Sequence, residues 1–213
     1  MSAITRTPTR INYSLMPMRA VVPPSVDDML DQIGPCPFDG LILGMCGDDL
    51  PAAINMREAP EPLLVVAPTG WGKTHFLKTT LEFARRGDKH NERQISPIVL
   101  TTHPEEWQDV HDVAVEVLTG DNLLTVLNAT RGFGESIYRY ALVLIDGWDQ
   151  ACIDDMGDFF TRRMAKRRNV VTIITTQTDD PSMNALRIKP GYHPGHFETS
   201  EGDDRMFFFA PSL

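Results

Sequence analysis

With 213 residues the chain has room for one α/β domain with a sizeable core and not for two ordinary ones, and its 42% hydrophobic and 23% charged residues argue against a disordered or fibrous polymer. A formal net charge of −9 excludes a surface that binds nucleic acid everywhere, because most of it would repel a phosphate backbone, so any such contact must be local. Three cysteines, Cys36, Cys46 and Cys152, form no disulfide framework and suit a reducing compartment, and with no apolar run near about eighteen residues and no amino-terminal signal core, neither a membrane span nor secretion is expected.

Residues 1–24 carry Pro8, Pro17, Pro23 and Pro24 without a helical period and read as an extended arm, basic at Arg6, Arg10 and Arg19. Ser25, with Asp28 three positions on, caps a short helix that stops at Gly34. Pro35 to Pro62 is irregular and rich in proline and glycine, so 25–62 is expected to be a lead-in layer before a core that spans 63–213. Leu63-Leu64-Val65-Val66 is a buried strand ended by Ala67-Pro68-Thr69-Gly70. A helix is predicted from Lys73 to Arg86, with Phe76, Leu77, Leu81 and Ala84 on one stripe and Gly87 just past its end.

Ser96 to Thr102 is the second strand, Val113 to Val117 the third, and Asn122 to Thr130 a helix behind Asp121 as cap. Leu142 to Ile145 forms a fourth buried strand ending at Asp146. Residues 152–167 read as a helix, and Val170 to Thr176 as a fifth strand ending at Gln177. Buried strands alternating with helices predict an α/β fold with a mostly parallel, doubly wound sheet and helices on both faces. After Pro181 no pattern is clear until Met206-Phe207-Phe208-Phe209, expected to add an edge strand.

Ala67-Pro68-Thr69-Gly70-Trp71-Gly72-Lys73-Thr74 matches the phosphate-loop pattern, with alanine in place of the first glycine. The spacing has a physical cause. After a buried strand the backbone must turn so that successive N–H groups point at an anion, and Gly70 and Gly72 permit dihedrals and approaches that a side chain would block. The following helix brings its positive end to the same point, so Ala67 through His75 make up the expected nucleotide-binding segment. Lys73 is expected to neutralise β and γ oxygens of ATP, and the Thr74 hydroxyl to ligate Mg²⁺ with Asp146 opposite.

Hydrolysis also needs a group to orient and deprotonate water. Gly147 follows Asp146 where many such proteins carry glutamate, which leaves Asp149, or Glu105 and Glu106, as substitutes, with Asp149 preferred. Gln177 would stand beside the nucleotide and touch the γ-phosphate or the attacking water. Trp71 reads either as an exposed reporter or as a contact with a neighbouring subunit.

The run Val143-Leu144-Ile145-Asp146, a helix through Phe159 ending in Arg162-Arg163-Met164-Ala165-Lys166-Arg167-Arg168, and the strand Val170 to Thr176 before Gln177 resemble the FtsK and HerA group of ring-forming DNA pumps, RecA-like (ASCE) P-loop ATPases. Within it the chain is most similar to the small DNA-packaging ATPases of internal-membrane and double jelly-roll viruses, the poxvirus type included. The tail Thr178 to Arg187 resembles their segment after the glutamine, where a proline precedes a short helix. The resemblance covers about Leu63 to Arg187. It departs at Gly147, and at Lys166-Arg167-Arg168, where viral members often carry Arg-His.

The resemblance implies a homo-oligomeric ring, a hexamer, that hydrolyses ATP with Mg²⁺ to move double-stranded DNA into a preformed capsid, in the host cytoplasm or the virion. It also implies a basic channel lining, a capsid or vertex partner for the amino-terminal arm, and a trans-acting arginine among Arg131, Arg162, Arg163, Arg167 and Arg168. Competing readings are a P-loop motor for another process, a small-molecule or nucleoside kinase, and a scaffold that binds ATP and hydrolyses it poorly.

Overall fold

The computed structural model describes residues 24–33, 39–46, 50–57, 61–91, 94–130, 139–148, 169–179, 181, 183–201 and 204–213. In chain order these form α1 (Val26–Ile33), β1 (Gly40–Cys46), β2 (Pro51–Asn55), β3 (Leu63–Val66), α2 (Lys73–Asn91), β4 (Gln94–Thr101), a 3-10 turn at Pro104–Trp107, and β5 (Ala114–Val117). There follow α3 (Gly120–Ala129), β6 (Arg139–Asp146), β7 (Val170–Thr176), β8 (Leu186–Pro190), β9 (His196–Glu201) and β10 (Asp204–Phe209). All ten strands join one sheet in the order β2-β1-β10-β9-β8-β3-β7-β6-β4-β5.

The run β8-β3-β7-β6-β4-β5 is parallel throughout, so these strands end at one edge, where loops can converge. Alternation along them divides the core. Leu63, Val65, Leu142, Leu144 and Ile173 pack with Phe76, Leu77, Leu81 and Ala84 of α2, whereas Leu64, Val143, Ile145 and Ile174 pack with Leu123 and Val126 of α3. Helices therefore cover both faces, as expected for an α/β sheet of buried strands. No helix among the described residues is long and apolar enough to cross a membrane.

Several boundaries differ from those expected. Ser25 and Asp28 exchange the predicted capping bonds at the start of α1. The cap of α3 is Thr119, whose side chain accepts from Asn122 N at 3.2 Å, rather than Asp121. The helix α2 continues through Gly87 to Asn91, because one glycine costs a helix only about 1 kcal/mol, which packing of the long apolar stripe offsets. The predicted helix at 152–167 and most of the arm lie outside the described residues.

The larger corrections concern the antiparallel half of the sheet. Pro35 to Pro62 is not an irregular layer, since it contains the hairpin β1–β2, built into the main sheet. Its register shifts between Ile42 and Gly44, which breaks the two-residue alternation that would have announced it. Met206 to Phe209 is not an edge, because β10 pairs with both β1 and β9. Nor does a helix follow Pro181 among the described residues. Leu186 donates its N–H to Pro62 O at 3.0 Å and begins β8, a parallel neighbour of β3.

Gly44 makes the junction of the halves possible. A Cβ there would lie 2.4 Å from Phe209 O and 2.9 Å from Phe208 Cδ2, distances no side chain tolerates. Overpacking of this kind typically costs about 1–3 kcal/mol. Gly44→Ala is expected to lower the unfolding free energy by about that amount, and a urea melt with the midpoint of the wild type would show that β1 and β10 do not approach this closely.

Candidate nucleotide-binding site

The phosphate-loop segment leaves β3 at the carboxyl edge of the sheet, and Asp146 ends β6, with β7 alone between them. Gly70 and Gly72 have φ of 80° and 92°, in the left-handed region that favours glycine. The loop turns directly into α2, where Phe76 N donates to Gly72 O at 2.8 Å. Lys73 Nζ donates to Ala67 O at 2.7 Å and to Pro68 O at 3.2 Å, so the ammonium lies inside the loop. A phosphate entering there would compete with carbonyl oxygens for it, and a bond between opposite charges is stronger than one to a neutral carbonyl.

Thr74, in the first turn of α2, reaches across β7. Its hydroxyl donates to Asp146 Oδ2 at 2.9 Å, which joins the two residues expected to hold a metal. Asp146 is 6% exposed, and a carboxylate so buried needs partners. Trp107 Nε1 donates to the same Oδ2 at 3.2 Å, and Thr175 Oγ1 to Oδ1 at 2.7 Å. Thr175 Oγ1 also accepts from Gly147 N at 3.1 Å. A hydroxyl and a carboxylate in contact are hard oxygen donors suited to Mg²⁺, which takes few protein ligands and keeps several waters and phosphate oxygens.

The remaining predicted residues divide. Gln177 is exposed and stands level with Ala67, since Val66 pairs with Thr176 and Ala67 N donates to Thr176 O at 3.1 Å. The His75 ring is held by Pro211 O, 2.8 Å from Nε2, so its side chain is engaged with the segment after β10. Glu105 and Glu106 are exposed on the 3-10 turn, and Glu105 Oε1 lies 3.2 Å from His103 Nδ1. Asp149, Arg131 and the basic cluster Arg162, Arg163, Lys166, Arg167 and Arg168 lie outside the described residues.

Trp71 is half-buried rather than exposed. Its indole N–H donates to His196 O at 3.1 Å, and its carbonyl accepts from Gly195 N at 3.0 Å, so the β8–β9 turn clasps the loop. Sequence reasoning also missed Trp107 and Thr175 as partners of Asp146. Thr175 carried a signal, a polar residue near the end of a buried strand; Trp107 carried none.

No protein-family model and no curated protein matches the chain. Solved structures do match. EssC (ATPases 2 and 3) from Geobacillus thermodenitrificans superposes with a TM-score of 0.65 at 15% identity, over 89% of this chain and 44% of that one. The cytoplasmic domain of EssC gives 0.64 at 14%, over 88% and 46%. The fold is that of these ATPase domains, an α/β sheet with a phosphate-loop segment at the end of a central strand. Thermomonospora curvata EccC (ATPases 2 and 3), solved in complex with a signal sequence peptide, superposes with a TM-score of 0.55 at 8% identity, over 89% and 42%. The chain spans less than half the length of each of these structures.

All three tryptophans flank the candidate site: Trp71 in the loop, Trp107 on Asp146, and Trp148 two residues beyond it. Titration with MgATP is therefore expected to give a saturable change in intrinsic fluorescence. Lys73→Ala should weaken the apparent affinity by about tenfold or more, the worth of one charge-assisted hydrogen bond. A flat titration with the wild type would remove the nucleotide from this site.

Proposed function

We propose that the chain is an ATP-hydrolysing motor that moves double-stranded DNA into a preformed viral capsid. The observation that carries the hydrolytic part is the Thr74–Asp146 contact at 2.9 Å, made across β7 beside a phosphate loop with two left-handed glycines. In this reading the loop amides and Lys73 hold the β and γ phosphates of ATP, and Thr74 and Asp146 hold Mg²⁺. The metal, when bound, neutralises charge on the phosphate oxygens. Gln177, level with Ala67, would report the state of the terminal phosphate to β7.

The DNA part rests on the sequence. Five basic residues in the seven from Arg162 to Arg168 directly precede β7 in a chain of net charge −9, a pattern that suits local, sequence-independent contact with phosphates. Assembly as a homo-oligomeric ring, a hexamer, would bring these residues to a channel and an arginine from one subunit to the ATP of the next. The arm at 1–24 would dock on a capsid or vertex protein, with the motor in the host cytoplasm or on the virion. A second reading, a motor for polypeptide, is favoured by the EccC structure solved with a signal sequence peptide.

The test is ATP hydrolysis with and without duplex DNA, on the wild type and Lys73→Ala, with mass measurement of the assembly. Severalfold stimulation by DNA and a ring mass are expected, and Lys73→Ala should lower kcat by about a hundredfold or more. Turnover indifferent to DNA would move the balance to polypeptide cargo. A strict monomer with ATP and DNA both present would sink the ring pump.

A further inference from the structure

A buried indole N–H nearly always finds a partner, and the one that Trp107 finds is the carboxylate of the expected metal pair. Its Nε1 donates at 3.2 Å to Asp146 Oδ2, the same oxygen that accepts from Thr74 at 2.9 Å. Of the donors on Asp146, Thr74 stands in the first turn of α2 and Thr175 within β7, so both are placed by regular backbone bonds. Trp107 comes instead from the 3-10 turn after β4, a short element with poorer backbone bonding. Packing alone asks for an apolar ring at 107, and phenylalanine would satisfy it. It does not ask for a donor on this carboxylate.

Lys78 holds the turn in place. It lies four residues after Thr74, so the two side chains leave the same face of α2 one turn apart. Its ammonium donates to Asp109 Oδ1 at 2.6 Å and stands 5.8 Å from the centroid of the Trp107 ring. One cation thus grips the turn twice, through a carboxylate two residues beyond the indole and over the indole face. The Lys78 side chain is 14% exposed, which limits screening of both contacts by solvent.

We propose that Trp107 and Lys78 are positioning residues for the metal: Trp107 fixes the Asp146 carboxylate through its one donor, and Lys78 fixes Trp107. The assignment rests on the reading of Thr74 and Asp146 as the Mg²⁺ pair. In this role neither residue touches the metal or the nucleotide. Groups that orient a metal ligand from outside typically change metal affinity by about ten- to a hundredfold when removed. A carboxylate free to rotate must be ordered each time the cation binds. Because α2 also carries Lys73 and Thr74, one helix places the phosphate-binding ammonium, the hydroxyl ligand and, through the turn, the acid opposite.

The readout is calorimetric binding of a non-hydrolysable ATP analogue to the full chain, with Mg²⁺ and with EDTA. The ratio of the two affinities separates the metal from the phosphate contacts. Trp107→Phe keeps a buried ring and loses the N–H, and should lower the ratio about tenfold while affinity in EDTA stays within about twofold of the wild type. Lys78→Met keeps the stem and loses the charge, and should lower the ratio about threefold, whereas Lys78→Arg should hold it within about twofold. Combining Trp107→Phe with Lys78→Met should be no worse than Trp107→Phe alone, because Lys78 acts through the indole N–H.

The assignment is overturned if Trp107→Phe leaves the ratio unchanged or raises it, or if the two single effects add. It is equally overturned if affinity in EDTA falls as far as affinity in Mg²⁺, which is what a merely structural role would produce. Should Trp107→Phe fail to fold, Lys78→Met against Lys78→Arg decides alone, and equal ratios reject the relay. A wild type whose binding ignores Mg²⁺ overturns the metal pair and this assignment with it, whereas Mg²⁺-dependent binding in the wild type beside an unchanged Trp107→Phe overturns this assignment only.

Discussion

The bond from Thr74 to Asp146 joins two segments seventy-two residues apart, and most of the architecture can be understood as what is needed to make it. It requires that β3 and β6 be separated by one strand, so that the first turn of α2 can span the gap, and β7 is that strand. It requires level strand ends, which the parallel pairings of β7 with β3 and with β6 provide. It also requires that a nearly buried carboxylate be held by enough donors to remain where it is, and Thr175 and Trp107 complete the set. Each comes from a different element, so the aspartate reports on the packing of four segments at once.

The antiparallel half of the sheet has a place in the same scheme. The β8–β9 turn meets Trp71 through a side-chain and a main-chain bond, and the segment after β10 meets His75 through Pro211. The phosphate loop is thus braced on its far side by strands that contribute nothing to the expected metal pair. A loop rich in glycine has much conformational freedom to lose on binding an anion, and bracing it beforehand reduces that cost. The close approach of β1 to β10 at Gly44 ties this brace to the hairpin and to α1, whose Val26 and Met29 pack against Ile42 and Met45.

Gly147 ties the chemistry to the packing. Read along the chain it is a missing acid; in the structure it is a residue with no room for a side chain, because Thr102 approaches from the neighbouring strand. Among the described residues the carboxylates of Glu105 and Glu106 remain at the surface while Trp107, from the same turn, is buried against Asp146. The turn after β4 is thereby used to hold the metal carboxylate in place rather than to present an acid.

The amino-acid sequence by itself determined the parallel core and the phosphate loop. Leu63 to Val66, Leu142 to Ile145 and Val170 to Thr176 are continuous apolar runs because both their faces are buried, and such runs are legible without knowing their neighbours. The loop is legible because its glycines, lysine and threonine act through backbone geometry within eight residues. Tertiary structure alone decided that a hairpin lies at 40–55, that β10 is interior, that Trp71 is clasped by His196, and that Trp107 and Thr102 flank the aspartate. Those facts depend on contacts between distant segments, on a register shift that erases the local period and on the lack of a side chain at two glycines. No periodicity along the chain carries them, because the partner that gives each its meaning lies elsewhere in the sequence.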